Sequence, residues 1–263
     1  MSIRLSTALV NYLAQGGSLK RALWDACIDI YNNSQPASAD NPSGSTILNR
    51  ITYQGNTFVP NTPSTAKKDK LVVGGSGPFT SLLYTYVVNG TPYTYTGVLA
   101  DTVITIAHAL ALLIDTDPSV SAIDDGAGEI IVKERFPGVG FTSATTGTTG
   151  TMALTSVTAS SRSNGIQWGS VSSVGDLPKE SGIWQGTALA SGLAGWGRIK
   201  AQGGQNIYGL SQTFDTDTQT TAFLRLDFAI NTANSDMIAL SSLNMVLGVT
   251  ATIDSADLIF PQS

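Results

Sequence analysis

The chain has 263 residues, 14 of them basic and 19 acidic, so its net charge of -5 offers no basic surface for nucleic acid or an anionic membrane. Its single cysteine, Cys27, excludes an internal disulfide and a cysteine-based metal cage, and we expect a small buried side chain there. Only 13% of residues are charged, against about 25% in an average domain, which favours a turn-rich β protein. Residues 1–13 lack a secretory-signal pattern, and no apolar stretch is long enough for a membrane span.

The first 53 residues predict two short helices and then strands. Residues 6–14 predict a helix whose apolar face carries Leu9, Val10 and Leu13. Ser18 is suited to cap a second short helix. Residues 27–31 alternate apolar and polar side chains, the pattern of a half-buried strand, and residues 46–53 predict another.

The middle of the chain predicts a separate α+β domain. Residues 56–70 contain two prolines and three lysines and are interpreted as a linker. Asn89-Gly90 predicts a hairpin turn, and Asp101 is expected to cap a helix over residues 102–115. The apolar face of that helix is expected to carry Val103, Ile106, Ala107, Leu110 and Leu113. Strands are predicted at residues 71–73, 81–88, 93–98, 121–123, 129–136 and 151–158.

The last third of the chain predicts a return to short strands. Residues 224–228 alternate apolar with charged side chains and are expected to form a half-buried strand. Strands are predicted at residues 182–190, 196–201, 207–213, 222–230, 237–239 and 246–260.

The predicted fold is therefore mainly β. An antiparallel sandwich or jelly-roll-like base domain, with short N-terminal helices, is expected over residues 1–66 and 161–263. A small α+β domain of order β-β-α-β-β is inserted at residues 67–160.

Motifs for enzymatic chemistry are missing from the sequence. Gly74-Gly75-Ser76-Gly77 lacks the lysine and the helix of a phosphate loop and is expected to be a turn. The only histidine, His108, lies in a predicted helix, where a satisfied or surface side chain is favoured over a catalytic base. We assign no catalytic, cofactor-binding or metal-binding residue and expect that the protein is not an enzyme and uses no cofactor.

Two acidic clusters could supply oxygen ligands to a cation. Asp124-Asp125-Gly126, with Glu129 nearby, suits a hairpin turn better, and Asp215-x-Asp217 is interpreted as a loop. Asp115 and Asp117 lie near a helix C-terminus, where negative charge is mildly unfavourable.

Aromatic side chains accumulate late in the chain. They could form a carbohydrate-binding face, but packing between two sheets is favoured. They are Trp168, Trp184, Trp196 and Tyr208.

Several segments resemble bacteriophage virion proteins. In the inserted domain, the stretch Asn89-Gly90-Thr91-Pro92-Tyr93-Thr94-Tyr95 is followed by an Asp-capped Ala/Leu helix and a strand, which is similar to a small domain of such proteins. Further similar segments are residues 4–20, 28–31, 35–40, 182–188, 194–196 and 249–255.

This resemblance implies a structural virion component, assembled in the host cytoplasm. The leading expectation is a homo-oligomeric capsid-associated decoration, head-fibre-like or minor capsid protein that contacts other virion proteins, chiefly the major capsid protein. The alternatives are a tail-associated protein, either a receptor or glycan binder or a tail tube or adaptor component, and, less favoured, a cell-wall or capsule hydrolase.

Overall fold

The computed structural model divides the chain into two compact units. Unit 1 consists of residues 1–63 and 163–263, and unit 2 of residues 64–162, whereas the sequence placed the inserted domain at residues 67–160. The structure describes residues 3–171, 176–204, 206–207, 210–211, 213–230 and 238–258.

The elements are numbered in chain order. The first part of unit 1 contains β1 (Arg4–Leu5), α1 (Thr7–Ala14), α2 (Leu19–Ala22), β2 (Cys27–Tyr31) and β3 (Ile47–Tyr53). Unit 2 contains β4 (Lys68–Gly74), β5 (Leu83–Val88), β6 (Thr91–Thr96), α3 (Val103–Ile114), β7 (Val120–Asp124), β8 (Glu129–Glu134), β9 (Ser143–Ala144) and β10 (Thr151–Thr158). The second part of unit 1 contains β11 (Leu177–Pro178), β12 (Trp184–Thr187), β13 (Gly192–Leu193), β14 (Trp196–Lys200), β15 (Asn206–Ile207), β16 (Leu210–Ser211), β17 (Arg225–Ala229), β18 (Ile238–Leu240), β19 (Asn244–Met245) and β20 (Thr250–Leu258).

Unit 1 is built on one curled antiparallel sheet. Its strand order is β1-β17-β14-β2-β3-β12-β20-β11, and β18 also pairs with β20. β2 and β3 from the first part of the chain lie between β14 and β12 from the second part. The mainly β, antiparallel, sandwich-like class predicted from the sequence is confirmed.

The core of unit 1 lies on one face of this sheet. Ile28, Ile199 and Phe228 are completely or almost completely buried in it. Trp168 and Trp184 pack edge to face there, with ring centroids 5.0 Å apart, a preferred geometry for aromatic pairs. The core interpretation of the predicted aromatic face is therefore correct for these two tryptophans.

The N-terminal helices begin where the sequence predicts. The hydroxyl of Ser6 caps α1 by accepting the backbone N–H of Leu9, and Ser18 caps α2 in the same way. The predicted apolar face of α1 is wrong at Val10, which is 48% exposed, because the helix buries Leu9 and Tyr12 instead.

Unit 2 consists of two sheets and one helix. The sheet β10-β4-β8-β7 has four strands, and β6-β5-β9 has three. The predicted β-β-α-β-β order corresponds to β5, β6, α3, β7 and β8, while β4, β9 and β10 extend the sheets. The predicted linker runs too far, because Lys68 and Lys70 belong to β4.

Turn and cap chemistry determine the local structure of unit 2. Asn89 and Gly90 both have positive φ, 49° and 85°, as the predicted hairpin turn between β5 and β6 requires. Thr102, rather than the predicted Asp101, caps α3, in a capping box with Thr105. Leu113 is 38% exposed, contrary to the prediction. The buried residues of α3 are Ile106, Ala107, Leu110, Ala111 and Ile114.

The predicted half-burial of two strands is wrong. All five residues of β2 are buried, and so are Arg225 and Asp227 of β17. Their polar face is covered by loops of the same unit. Of the remaining predictions, Tyr208 and parts of the strands expected at 207–213, 237–239 and 246–260 lie outside the described residues.

Candidate functional site

The central strands of unit 1 carry charged side chains on the face opposite the apolar core. Arg198 of β14 lies between Asp29 of β2 and Asp227 of β17 in the strand register. Lys200 of β14 lies opposite Arg225 of β17 in the strand register. Residues that are opposite each other in an antiparallel sheet share a face. The sequence therefore concentrates charge on one side of three adjacent strands.

Arginine–aspartate pairs form the centre of this face. Arg225 donates from Nε and Nη2 to the carboxylate of Asp215, at 2.7 and 2.5 Å. Arg198 contacts Asp227 in the same two-pronged way, at 2.6 and 2.8 Å, and also donates to Asp217 at 3.0 Å. Both arginines are completely buried. Such bidentate charge-assisted bonds are among the strongest that side chains make.

Asp29 joins two further cations to this group. Arg50 of β3 donates from Nε and Nη2 to Asp29 at 2.7 and 2.9 Å, and Lys200 Nζ lies 3.1 Å from the same carboxylate. The hydrogen bond with Asp29 raises the pKa of Arg50, although burial opposes it. We call the eight side chains the buried ion network; they are Asp29, Arg50, Arg198, Lys200, Asp215, Asp217, Arg225 and Asp227.

The buried ion network also fixes the loops that cover it. Arg225 Nη1 donates to the backbone carbonyls of Ala39, Asp40 and Asn41 at 3.1 to 3.3 Å. Asp217 accepts a 2.5 Å hydrogen bond from the hydroxyl of Ser43. The four cations and four anions satisfy one another and the loop backbone. Their arrangement supports a structural clamp that holds loops on the sheet.

The structure places the predicted candidate residues apart from one another. His108 is exposed on α3, with Nδ1 2.9 Å from Asp124 Oδ2, so the surface interpretation is confirmed. Cys27 is buried, as predicted, and burial raises the pKa of its thiol. Gly74 ends β4 and is followed by a loop.

The two acidic clusters have different structures. Asp125 accepts the backbone N–H groups of Ala127 and Glu129 within the turn between β7 and β8, which confirms the hairpin interpretation. Asp215 and Asp217 do lie in a loop, but they face inward onto buried arginines. Sequence reasoning missed this role, and the only local signal was the paired charge of Arg225 and Asp227 in an otherwise apolar run.

The acidic residues after α3 have local partners. Asp117 accepts hydrogen bonds from Ser119 and from the hydroxyl of Tyr93 at 2.8 Å. Burial favours a higher pKa of Asp117, but these hydrogen bonds and the charge of Arg135 outweigh it, so the pKa is lowered. Asp115 Oδ1 lies 3.0 Å from Arg135 Nη2. These contacts offset the unfavourable position of both carboxylates near the helix end.

The tryptophans are not surface groups. Trp196 is fully buried, like Trp184, and Trp168 is 2% exposed. Trp196 stacks on Tyr31 with ring centroids 4.4 Å apart, beside the buried ion network. These three side chains therefore do not form a carbohydrate-binding face.

Unit 1 contains a shallow concave site near β11 and β20. A shallow groove beside Lys179, Glu180 and Asp254 has a volume of about 260 Å³, below the usual range of ligand pockets, about 300–1,000 Å³. Within the described ranges, no three His, Cys, Asp or Glu side chains are grouped so that they could hold a metal ion.

Unit 1 also exposes a group of apolar side chains. Two loops meet here: Ala188 exchanges backbone hydrogen bonds with Gly248 and Val249, and β13 pairs with β19. Their side chains project five large aliphatic groups that are 55–64% exposed. Residues 181–197 and 238–253 contain no charged side chain. We call this surface the apolar patch, formed by Leu189, Leu193, Val246, Leu247 and Val249.

Comparison with protein-family models and with curated proteins finds no match to the chain. In the part of the chain that the structure describes, no helix is long and apolar enough to cross a membrane. The longest described helix, α3, has 12 residues.

Proposed function

We propose that the protein is a structural component of a bacteriophage particle that acts through assembly contacts. Its most favoured place is on the capsid, as a decoration, head-fibre-like or minor capsid protein bound to the major capsid protein. The phage assignment rests on the sequence resemblance. The observation that carries the assembly role is the apolar patch, because large exposed apolar surfaces mark interaction sites.

The expected binding free energy of the apolar patch suits a protein that is bound in many copies on a repeated lattice. Complete burial of a leucine or valine side chain is worth about 1.5–3 kcal/mol, so covering the exposed part of each is worth about 1 kcal/mol. Five such side chains would contribute about 5 kcal/mol, which is near the lower end of the association cost of about 4–15 kcal/mol. One patch alone would bind weakly, whereas many copies held on a symmetric shell gain from multivalency.

Localisation on the particle tests the proposal. Gold-labelled antibody against the protein should bind the heads of purified particles of the encoding phage in electron micrographs. Label confined to the tail would overturn the capsid assignment and favour a tail tube, adaptor or receptor-binding protein. Absence of the protein from purified particles would reject the virion role altogether.

A variant pair tests the role of the apolar patch. Leu193→Gln combined with Leu247→Gln should reduce incorporation into particles at least tenfold, because the substitutions remove apolar area at two exposed side chains. Val59→Gln is a matched control, since Val59 is 49% exposed in the same unit but lies outside the patch. Equal incorporation of both variants, with both folded, would show that another surface makes the contact.

A further inference from the structure

The outer strand of the four-stranded sheet in unit 2 has an open edge. β10 pairs with β4 along residues 151–158, and no described strand lies on its other side. Thr151, Ala153 and Thr155 are exposed. Met152 and Leu154 are half-buried and pack against the core of unit 2. The core of unit 2 therefore reaches the sheet edge without being fully covered there.

The pairing pattern shows which backbone groups face outward. Val73 of β4 donates its backbone N–H to Gly128, on the side of β8. Alternate residues of an antiparallel strand turn to opposite neighbours, so Val72 bonds toward β10, where its partner is Ala153. The N–H and C=O groups of Met152 and Leu154 then point away from β4. These are the groups that an added strand would bind.

Before its bulge, this edge lacks the charges and prolines that commonly prevent strand addition. Residues 138–161 contain no charged residue and no proline, although both are common on exposed edges. By contrast, β6 contains Pro92 and the short β7 ends at Asp124. A bulge between Ser156 and Thr158 limits the regular part of the β10 edge to the residues before it.

We propose that β10 pairs with β10 of a second copy of this chain, antiparallel about a two-fold axis perpendicular to the sheet. This arrangement makes one continuous eight-stranded sheet and places Met152 and Leu154 of both copies on the same, core-facing side. Because β10 is uncharged, two identical strands meet without the repulsion expected between chains of net charge -5. The interface is isologous, so it closes as a dimer. The inference does not depend on the virion assignment.

Sedimentation velocity over a range of protein concentrations tests the proposal. The unmodified chain should form a dimer, and Ala153→Lys should weaken dimerisation at least tenfold by placing like charges near the two-fold axis. Ile123→Lys is the matched control, because Ile123 is exposed on the same sheet face at the other edge strand. A chain that stays monomeric, or a dimer weakened equally by both substitutions, would overturn the proposal.

A second variant and a second measurement guard against a folding defect. Leu154→Pro removes an outward N–H without removing a bond to β4, and it should also abolish the dimer while near-native circular dichroism is kept. Hydrogen exchange of residues 151–158 in the unmodified chain should slow as concentration rises through the dimerisation range. A dimer without such protection would overturn the proposal, and a dimer dissolved by the Leu193→Gln and Leu247→Gln pair instead would assign the interface to the apolar patch.

Discussion

The guanidinium group of Arg225 lies against the carboxylate of Asp215, with Nη2 2.5 Å from Oδ1 and Nε 2.7 Å from Oδ2. Arg225 belongs to β17 and Asp215 to the loop before it, and both are buried. Burying two charges is costly, and close pairing with further hydrogen bonds offsets that cost. The pair therefore fixes a covering loop on the sheet instead of offering a reactive group to solvent.

Replacing Arg225 should destabilise unit 1 strongly. Arg225→Met is expected to lower the free energy of unfolding by about 3–5 kcal/mol, because Asp215 would stay buried without its main partner. Tryptophan fluorescence during urea unfolding measures this directly, since all four tryptophans lie outside residues 64–162. Arg21→Met, on an exposed position of α2, should change the value by no more than about 0.5 kcal/mol. Similar losses in both variants would argue against a buried clamp.

The two helix caps of unit 1 should differ in their contributions. Ser6 is fully buried; its hydroxyl donates to Phe223 O at 2.8 Å and accepts the N–H groups of Leu9 and Arg225. The hydroxyl of Ser18 accepts only the backbone N–H of Arg21 among the described hydrogen bonds. Ser6→Ala should therefore cost about 2 kcal/mol and Ser18→Ala about 1 kcal/mol or less in the same urea assay. The reverse order would show that the hydroxyl of Ser6 does not join α1 to β17.

The stability of unit 2 should depend on the ionisation of Asp117. The pKa of this carboxyl is lower in the fold than its ordinary value of 3.8, so its contribution is complete above about pH 5 and is lost as pH falls through the folded pKa. Asp117→Asn should be less stable at pH 7 by about 1–2 kcal/mol, and the difference should shrink toward pH 3. Hydrogen exchange of the α3 amides at each pH gives the free energy of opening. A difference that does not change with pH would contradict the assignment.

The thiol of Cys27 should be inert in the folded protein. It is completely buried in β2, and burial raises its pKa, so little thiolate is present or accessible at pH 8. A maleimide reagent should modify the chain only in denaturant, with a midpoint that follows the tryptophan fluorescence. Rapid labelling of the native chain would show that β2 is more accessible than its packing indicates.

Local chemistry made much of the secondary structure predictable. Ser6 and Ser18 begin helices because their hydroxyls satisfy free backbone N–H groups, and Asn89-Gly90 turns a hairpin because both residues tolerate positive φ. The helix faces were less predictable. Val10 and Leu113 are apolar but exposed, because the neighbouring elements, not the helix alone, determine which side is covered.

The buried ion network shows why the site was harder to predict. Alternation in β17 correctly placed Arg225 and Asp227 on one face, and the sequence suggested that this face met water. Part of its cover is distant along the chain, since Asn41 and Ser43 lie far before β17, and Asp217 lies in the loop just before β17. Alternation of apolar and charged side chains shows that the two faces of a strand differ, but it does not show whether loops or water cover each face.

The position of unit 2 within the sequence of unit 1 affects how the chain can fold during synthesis. β2 and β3 leave the ribosome before unit 2, whereas their outer neighbours β14 and β12 are made after it. Unit 2 is contiguous and can complete its core first. At about 5–20 residues per second, the 130 residues between the end of β3 and the start of β12 keep β2 and β3 waiting for about 6–26 s. During that interval Asp29 and Arg50 can form their ion pair, whereas the apolar face of the β2–β3 hairpin has no sheet neighbours to bury it. Chaperone binding is therefore expected to concentrate on this nascent segment.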